Sequence, residues 1–115
     1  MPRLLLHLEG AVTFAAATAL YFHGDHAWWL YLALALAPDL SMVGYTAGER
    51  VGAAAYDLFH TYAFPIALAT AGVLTDTGGL VAVGLVWIAH IGADRAIGYG
   101  LKYPTGFKDT HLQRV

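Results

Sequence analysis

Five ionisable side chains lie inside apolar stretches of the sequence, where no water is available to solvate a charge. They are Glu9, Asp39, His60, His90 and Asp94. Imidazole and carboxylate groups without sulfur are ligands suited to zinc, iron or manganese. His90 and Asp94 are four residues apart, which places both on one face of a helix. We therefore predict a divalent-metal site built from these five side chains.

Two further side chains are additional candidate ligands. Asp57 precedes His60 by three residues and shares its helical face, where it either binds the ion or pairs with His60. His111 lies in the polar C-terminal segment. That segment either folds back over the site, bringing His111 or Lys108 to it, or is held at the lipid headgroups.

The elements that position these residues are four apolar stretches joined by short turns. Each is near the ~20 residues that a helix needs to cross a bilayer core. The chain has 115 residues, is 58% hydrophobic and only 12% charged, and has a mean hydropathy of +0.56. A soluble domain of this size cannot bury so much apolar surface. The predicted spans cover residues 4–22, 27–45, 51–74 and 80–99, followed by a polar tail, 100–115.

This pattern predicts an all-α integral membrane protein. The chain, 1–115, is a single domain, and its short turns make neighbouring spans antiparallel in an up-down-up-down four-helix bundle. All six basic residues lie at one end of the spans, whereas the turns at the other end have only Asp25 and Asp76. By the positive-inside rule both termini are cytoplasmic, in a multi-pass protein of the bacterial inner membrane. No small-residue cleavage site follows the first span, so we expect it to be retained.

The polar groups fall at one depth in the predicted bundle. A rise of 1.5 Å per residue places them about 8–14 Å from the cytoplasmic edge. Four carboxylates, including that of Asp57, share this layer with one basic side chain, Arg95. Each unpaired charge at the centre of a membrane helix costs about 2.5–3.5 kcal/mol. The layer therefore needs bound metal, protons held by the carboxylates, or a water-filled cavity.

Three functions fit such a layer. The first is a metal centre, as in the carboxylate-bridged two-metal bundles. Those bundles carry Glu-x-x-His, whereas the last helix here reads His-x-x-x-Asp. A site for one metal ion needs fewer ligands. Bound metal would activate water and a spare carboxylate would act as base, so a hydrolase of lipid headgroups or small cytosolic molecules is the default enzyme. The second is a proton, ion or small-molecule transport pathway, and the third is a structural subunit with a hydrogen-bonded polar core. A separation of His60 and His90 above about 8 Å would exclude the metal site.

Partners and local breaks follow from the remaining composition. There is no cysteine, and the net charge of −2 comes without a basic run, so disulfides, thiolate metal sites and nucleic-acid binding are not expected. The bilayer is one partner, and Gly48-x-x-x-Gly52 with its following alanines predicts a homodimer. Pro38 and Pro65 interrupt the second and third spans and are expected to free the carbonyls of Leu34 and Thr61, which either opens a pocket or only changes the packing.

Four blocks of sequence carry a resemblance to a known family: LHLEG, APDLSMVGY, YDLFHTYAFP and WIAHIGADRAIGYGLKYPTGFKDTHL. In this order they resemble the domain-of-unknown-function family 4260, small bacterial integral membrane proteins. The resemblance implies a four-span membrane protein and brings no activity. Asp57, commonly Asn in that family, and His7, commonly Arg, depart from its pattern, which leaves the five residues named first as the core set. A looser likeness to membrane-bound metal-dependent hydrolases is one of analogy only.

Overall fold

The computed structural model describes residues 2–101 and 110–114, without the side chains of residues 41–45, 113 and 114. Every element in that part of the chain is helical, as predicted. The elements are α1 (Pro2–His23), α2 (Trp28–Ala35), a 3-10 helix (Ala37–Ala47), α3 (Glu49–Phe59), α4 (Ala63–Leu74), α5 (Gly78–Ala96) and the short α6 (His111–Arg114).

Two of the four apolar stretches form single helices, and two are interrupted. Helices α1 and α5 are long and apolar enough to cross a membrane, by length and composition. The second stretch changes from α2 to the 3-10 helix at Leu36, and the third is broken between α3 and α4 at residues 60–62. Both breaks lie beside predicted site residues, Asp39 and His60.

Proline explains where the new helices begin. Pro38 is the second residue of the 3-10 helix and Pro65 the third residue of α4. The N–H groups of a first helical turn have no partner within the helix, so proline is tolerated there and disfavoured in the helix interior. Pro65 therefore starts a helix after the break, whereas the sequence predicted a kink that frees the carbonyl of Thr61.

Two side chains of α5 bind carbonyl groups left open where α3 ends. Trp87 donates its indole N–H to the carbonyl of Phe59 at 2.6 Å, and Arg95 donates from Nη2 to the carbonyl of His60 at 3.2 Å. Backbone groups away from water need such partners, because each unsatisfied one is costly. These two bonds fix the end of α3, and with it His60, against α5.

Helix α5 is the central helix, because α1, α2 and α4 all pack against it, while the 3-10 helix packs on α3. Helices α1 and α5 meet backbone to backbone at Gly10 and Gly92. A Cβ atom on Gly92 would lie only 2.7 Å from the carbonyl oxygen of Gly10. The residues of α5 buried by these neighbours are Ala82, Gly84, Val86, Ala89, Ile91 and Gly92.

Large apolar side chains cover much of the outer surface. Leu4 and Val12 on α1 are 66% and 59% exposed, and Leu74 at the end of α4 is 79% exposed. Apolar surface of this extent marks a membrane or a protein interface. Within the small-residue pair proposed for dimerisation, Gly52 is buried inside the fold and Gly48 is exposed, and the homodimer stays a prediction.

The last described residues return to the start of α1. Arg3 donates from Nε to the carbonyl of Leu112 at 3.1 Å, and Thr110 and Leu112 are each 1% exposed. This part of the tail is therefore packed against the helices. Lys108, which we considered as a residue of a closing segment, lies outside the described residues.

Candidate metal centre

Four polar side chains come together, two beside the breaks in the second and third apolar stretches and two on the continuous helix α5. Asp39 lies in the first turn of the 3-10 helix, where an acidic side chain suits the positive end of the helix dipole. His60 follows the last residue of α3. His90 and Asp94 project from adjacent turns of α5, as their four-residue spacing predicts. One ligand atom from each of the four lies within 4.8 Å of every other.

The distances within this group are short and nearly equal. His60 Nε2 lies 3.2 Å from His90 Nε2, well inside the limit that the metal hypothesis required. Asp39 Oδ1 lies 3.2 Å from His60 Nε2 and 3.1 Å from His90 Nε2. Asp94 Oδ2 lies 3.5 Å and 3.2 Å from the same two nitrogens.

Five of the six separations among the four ligand atoms match the edges of a coordination tetrahedron. Ligand atoms at about 2.0–2.1 Å from a tetrahedral zinc ion are about 3.3–3.4 Å from one another. The five distances given above, from 3.1 to 3.5 Å, bracket that value, and the sixth, between the carboxylates of Asp39 and Asp94, is within 4.8 Å. The residues present therefore fit one ion with two nitrogen and two oxygen ligands.

The hydrogen bonds of the imidazoles determine what they present to the site. His60 Nδ1 lies 2.8 Å from the carbonyl oxygen of Tyr56, and a carbonyl only accepts, so Nδ1 carries the proton. His90 has a backbone hydrogen bond at Ala35, for which Nδ1 is the nitrogen left once Nε2 faces the site. In its neutral form, each ring therefore turns Nε2 as an acceptor toward the carboxylates, which is the tautomer that binds metal.

Exposure differs across the four ligands. The side chains of His60 and His90 are 3% and 9% exposed, and that of Asp94 is 20% exposed. Asp39 is the open side of the group at 39%. The group is therefore accessible from outside the fold on the side of Asp39.

Tyr56, which sequence reasoning missed, supports two of the ligands. Its ring stacks on the His60 imidazole, with centroids 3.7 Å apart and planes 6° apart. Its hydroxyl group hydrogen-bonds the carboxylate of Asp94, and its carbonyl fixes His60 Nδ1. The four-residue spacing from Tyr56 to His60 was the available signal, because it places both on one face of α3.

We expect Tyr56→Phe to lower metal affinity about 10–100-fold, the usual effect of removing a hydrogen bond to a metal ligand. The phenyl ring keeps the stacking on His60, so thermal stability without metal should change little. Tyr31→Phe is the matched control, since the hydroxyl of Tyr31 bonds Thr18 at 2.7 Å, away from the group. Affinities measured by competition with a chelating dye would contradict this role of Tyr56 if both variants bind metal equally.

The other predicted site residues lie outside the group of four. Glu9 is exposed on α1 and Asp57 is half-buried on α3. His111 packs at the end of α5, where its Nδ1 accepts the N–H of Leu101 at 2.8 Å. Burial and the nearby Arg95 lower the pKa of His111, so it is mostly neutral at pH 7.

Arg95, the basic side chain that shares the predicted polar layer, binds other groups. Its guanidinium donates to the carbonyl of His60 and lies over the ring of Tyr62, 4.9 Å from the centroid. The positive charge is thus directed to the helix break and an aromatic face. The three ways to stabilise the carboxylates, namely metal, protons or water, therefore remain.

Comparison with known proteins gives one match. A family model described as Domain of unknown function (DUF4260) matches residues 3–115, which is almost the whole chain. No curated protein and no solved structure matches the chain significantly. The geometry of the site is therefore the basis for assigning its function.

Proposed function

Because the chain belongs to the DUF4260 family, whose description assigns no activity, we propose from the geometry of the site that it is a membrane protein with a one-metal centre serving hydrolysis. The observation that carries this proposal is the convergence of two imidazole nitrogens and two carboxylate oxygens, in which the nitrogens lie 3.1–3.5 Å from each other and from both oxygens. Electron-pair donors at this separation repel one another unless a metal ion or protons lie among them.

Zinc suits this ligand set best, with iron and manganese as alternatives. Zinc accepts two imidazoles and carboxylate oxygens in tetrahedral geometry without sulfur. Bound there, the ion would supply Lewis acidity that brings the pKa of water near 7. A hydrogen-bonded polar layer without metal would place protons between the same atoms, which makes metal content the deciding measurement.

The two carboxylates have different roles in this proposal. Asp94 accepts a hydrogen bond from the hydroxyl of Tyr56 and, with His60 and His90, would hold the ion permanently. Asp39 is the most exposed of the four, and its carboxylate would serve as the base. It would take one proton from the attacking water and return it to the leaving group, so that water adds across the bond that breaks.

A comparison of Asp39→Ala with Asp94→Ala tests this division. We expect Asp39→Ala to retain one metal ion per chain, because three protein ligands suffice for a catalytic zinc. Asp94→Ala should lose at least about 100-fold in metal affinity, which is more than the loss when a hydrogen-bond partner of a ligand is removed. Elemental analysis and the absorption spectrum of the cobalt-substituted protein report content and coordination. Equal loss in both variants would indicate a closed structural site and contradict the hydrolytic role.

We further propose that four spans cross the bacterial inner membrane up and down, with the site near the cytoplasmic face. Two helices of membrane-spanning length and the exposed apolar side chains support this. So does the placement of the six basic residues at one end of the predicted spans.

Single cysteines test the orientation cleanly, because the chain has no cysteine of its own. His23→Cys, at the end of α1, should react with an impermeant maleimide in intact cells. Glu49→Cys, at the start of α3, should react only after lysis. Both positions are exposed in the fold, so access to solvent is matched. The reverse labelling pattern would overturn the proposed orientation.

A further inference from the structure

An apolar groove lies directly beside the candidate metal centre. Its volume is about 190 Å³. At ~30 Å³ for each water molecule of the liquid, this is the space of about six waters. Its walls come from α2, the 3-10 helix, α3 and α5, and they consist of Leu34, Ala37, Pro38, Phe59, Val83 and Trp87.

Three residues of the groove adjoin ligands of the metal centre along the chain. Pro38 precedes Asp39, and Phe59 precedes His60. Trp87 lies one turn before His90 on α5, and its indole N–H is bound to the carbonyl of Phe59, so its ring forms a fixed wall. A ligand with a polar group at the metal centre therefore has apolar walls within reach of its remaining atoms.

The groove also has a direction. Val83 lies seven residues before His90 on α5, about 10 Å along the helix axis. In the proposed orientation α5 runs from the outer face toward the cytoplasm, so the groove extends from the metal centre toward the middle of the bilayer. A lipid of the cytoplasmic leaflet has the same direction, with its head at the surface and its chains inward.

We propose that the ligand of the site is a membrane lipid, with an oxygen-bearing head at the metal centre and one acyl chain in the groove. This inference rests on the proposed function, since the metal supplies the contact for the head. One turn of a helix from another chain, about 10 Å across with its side chains and 5.4 Å long, occupies roughly 400 Å³, which is more than the groove volume of about 190 Å³. A small cytosolic molecule would leave the apolar walls unused, whereas an acyl chain fills them.

Photolabelling tests the assignment. The probe is phosphatidylethanolamine with a diazirine in the middle of one acyl chain, added to nanodiscs of phosphatidylethanolamine and phosphatidylglycerol that contain the full chain. We expect adducts to concentrate on peptides that contain Phe59, Val83 and Trp87. Val83→Trp fills the groove and should lower this labelling about tenfold, since each methylene excluded from apolar contact costs severalfold in binding.

Val12→Trp is the matched control, because Val12 lies on the exposed face of α1, away from the groove. It should leave groove labelling unchanged, and Leu34→Trp should repeat the loss if Val83→Trp fails to fold. Labelling spread evenly over α1 and the groove, or unaffected by either groove variant, would overturn the lipid site. Metal content is measured on the same samples. Groove-specific labelling of a protein without metal would support the lipid site and contradict the metal proposal. Bound metal with even labelling would support the metal proposal and contradict the lipid site.

Discussion

His60→Ala is expected to abolish stoichiometric metal binding. The side chain supplies one of four ligand atoms, it is 3% exposed, and its Nε2 lies 3.2 Å from that of His90. The variant loses a ligand atom itself, so metal affinity should fall by more than the 10–100-fold that is typical when a hydrogen bond to a ligand is removed. Elemental analysis of protein grown with added zinc, iron and manganese measures the content, and titration in detergent measures the affinity.

Thermal denaturation separates a metal centre from a hydrogen-bonded polar layer. A ligand present at 1,000 times its dissociation constant stabilises the folded state by about 4 kcal/mol. A chelator should therefore lower the melting temperature of the wild type and leave that of His60→Ala unchanged. If the chelator has no effect on the wild type, and His60→Ala only melts earlier, the group of four is structural and the metal proposal is wrong.

His23→Ala is the control for His60→Ala. His23 is an exposed residue at the end of α1, so its removal should change neither the metal content nor the response to chelator. If metal binds at His23 and not at the buried group of four, His23→Ala would lose metal content.

Gly92→Ala is expected to destabilise the fold. The added Cβ atom would lie 2.7 Å from both the carbonyl oxygen of Gly10 and the backbone nitrogen of Phe14. These are backbone atoms, which cannot rotate away, so α1 must move outward from α5. Overpacking of this kind costs typically about 1–3 kcal/mol, against a gain of up to ~1 kcal/mol in helix propensity.

Gly79→Ala, on the same helix, is the matched control. A Cβ atom at Gly79 meets nothing within 4 Å, so this variant should gain the helix propensity of alanine without a clash. Melting temperatures in one detergent compare the two. Equal stability of Gly92→Ala and Gly79→Ala would show that α1 and α5 do not approach each other closely in the membrane.

The sequence was sufficient for the helical class and for part of the site. Long apolar stretches have few ways to satisfy their backbone except as helices, and α1 and α5 lie where two of them were predicted. The pairing of His90 with Asp94 follows from the 3.6-residue period of a helix, and the two atoms lie 3.2 Å apart. The family resemblance is confirmed over residues 3–115.

The direction in which each side chain points around its helix axis was decided only by the tertiary structure. Residue count predicts the height of a side chain along a helix, and it predicts Glu9 in the same layer as the histidines. The angle around the axis depends on which face packs, and the contact of Gly10 with Gly92 leaves Glu9 exposed. Counting residues therefore could not predict which side chains belong to the group of four.

The helix breaks were likewise a tertiary result. Proline indicates that a helix is interrupted, but where the interruption falls depends on which groups accept the open carbonyls. Trp87 and Arg95, from a helix far along the chain, bind those of Phe59 and His60. The sequence by itself thus determined which polar residues lie within the apolar stretches and which of them share one face of a helix. Only the packing of α5 against the broken helices brought Asp39, His60, His90 and Asp94 to one point, because contacts between distant segments set the angles that local periodicity leaves free.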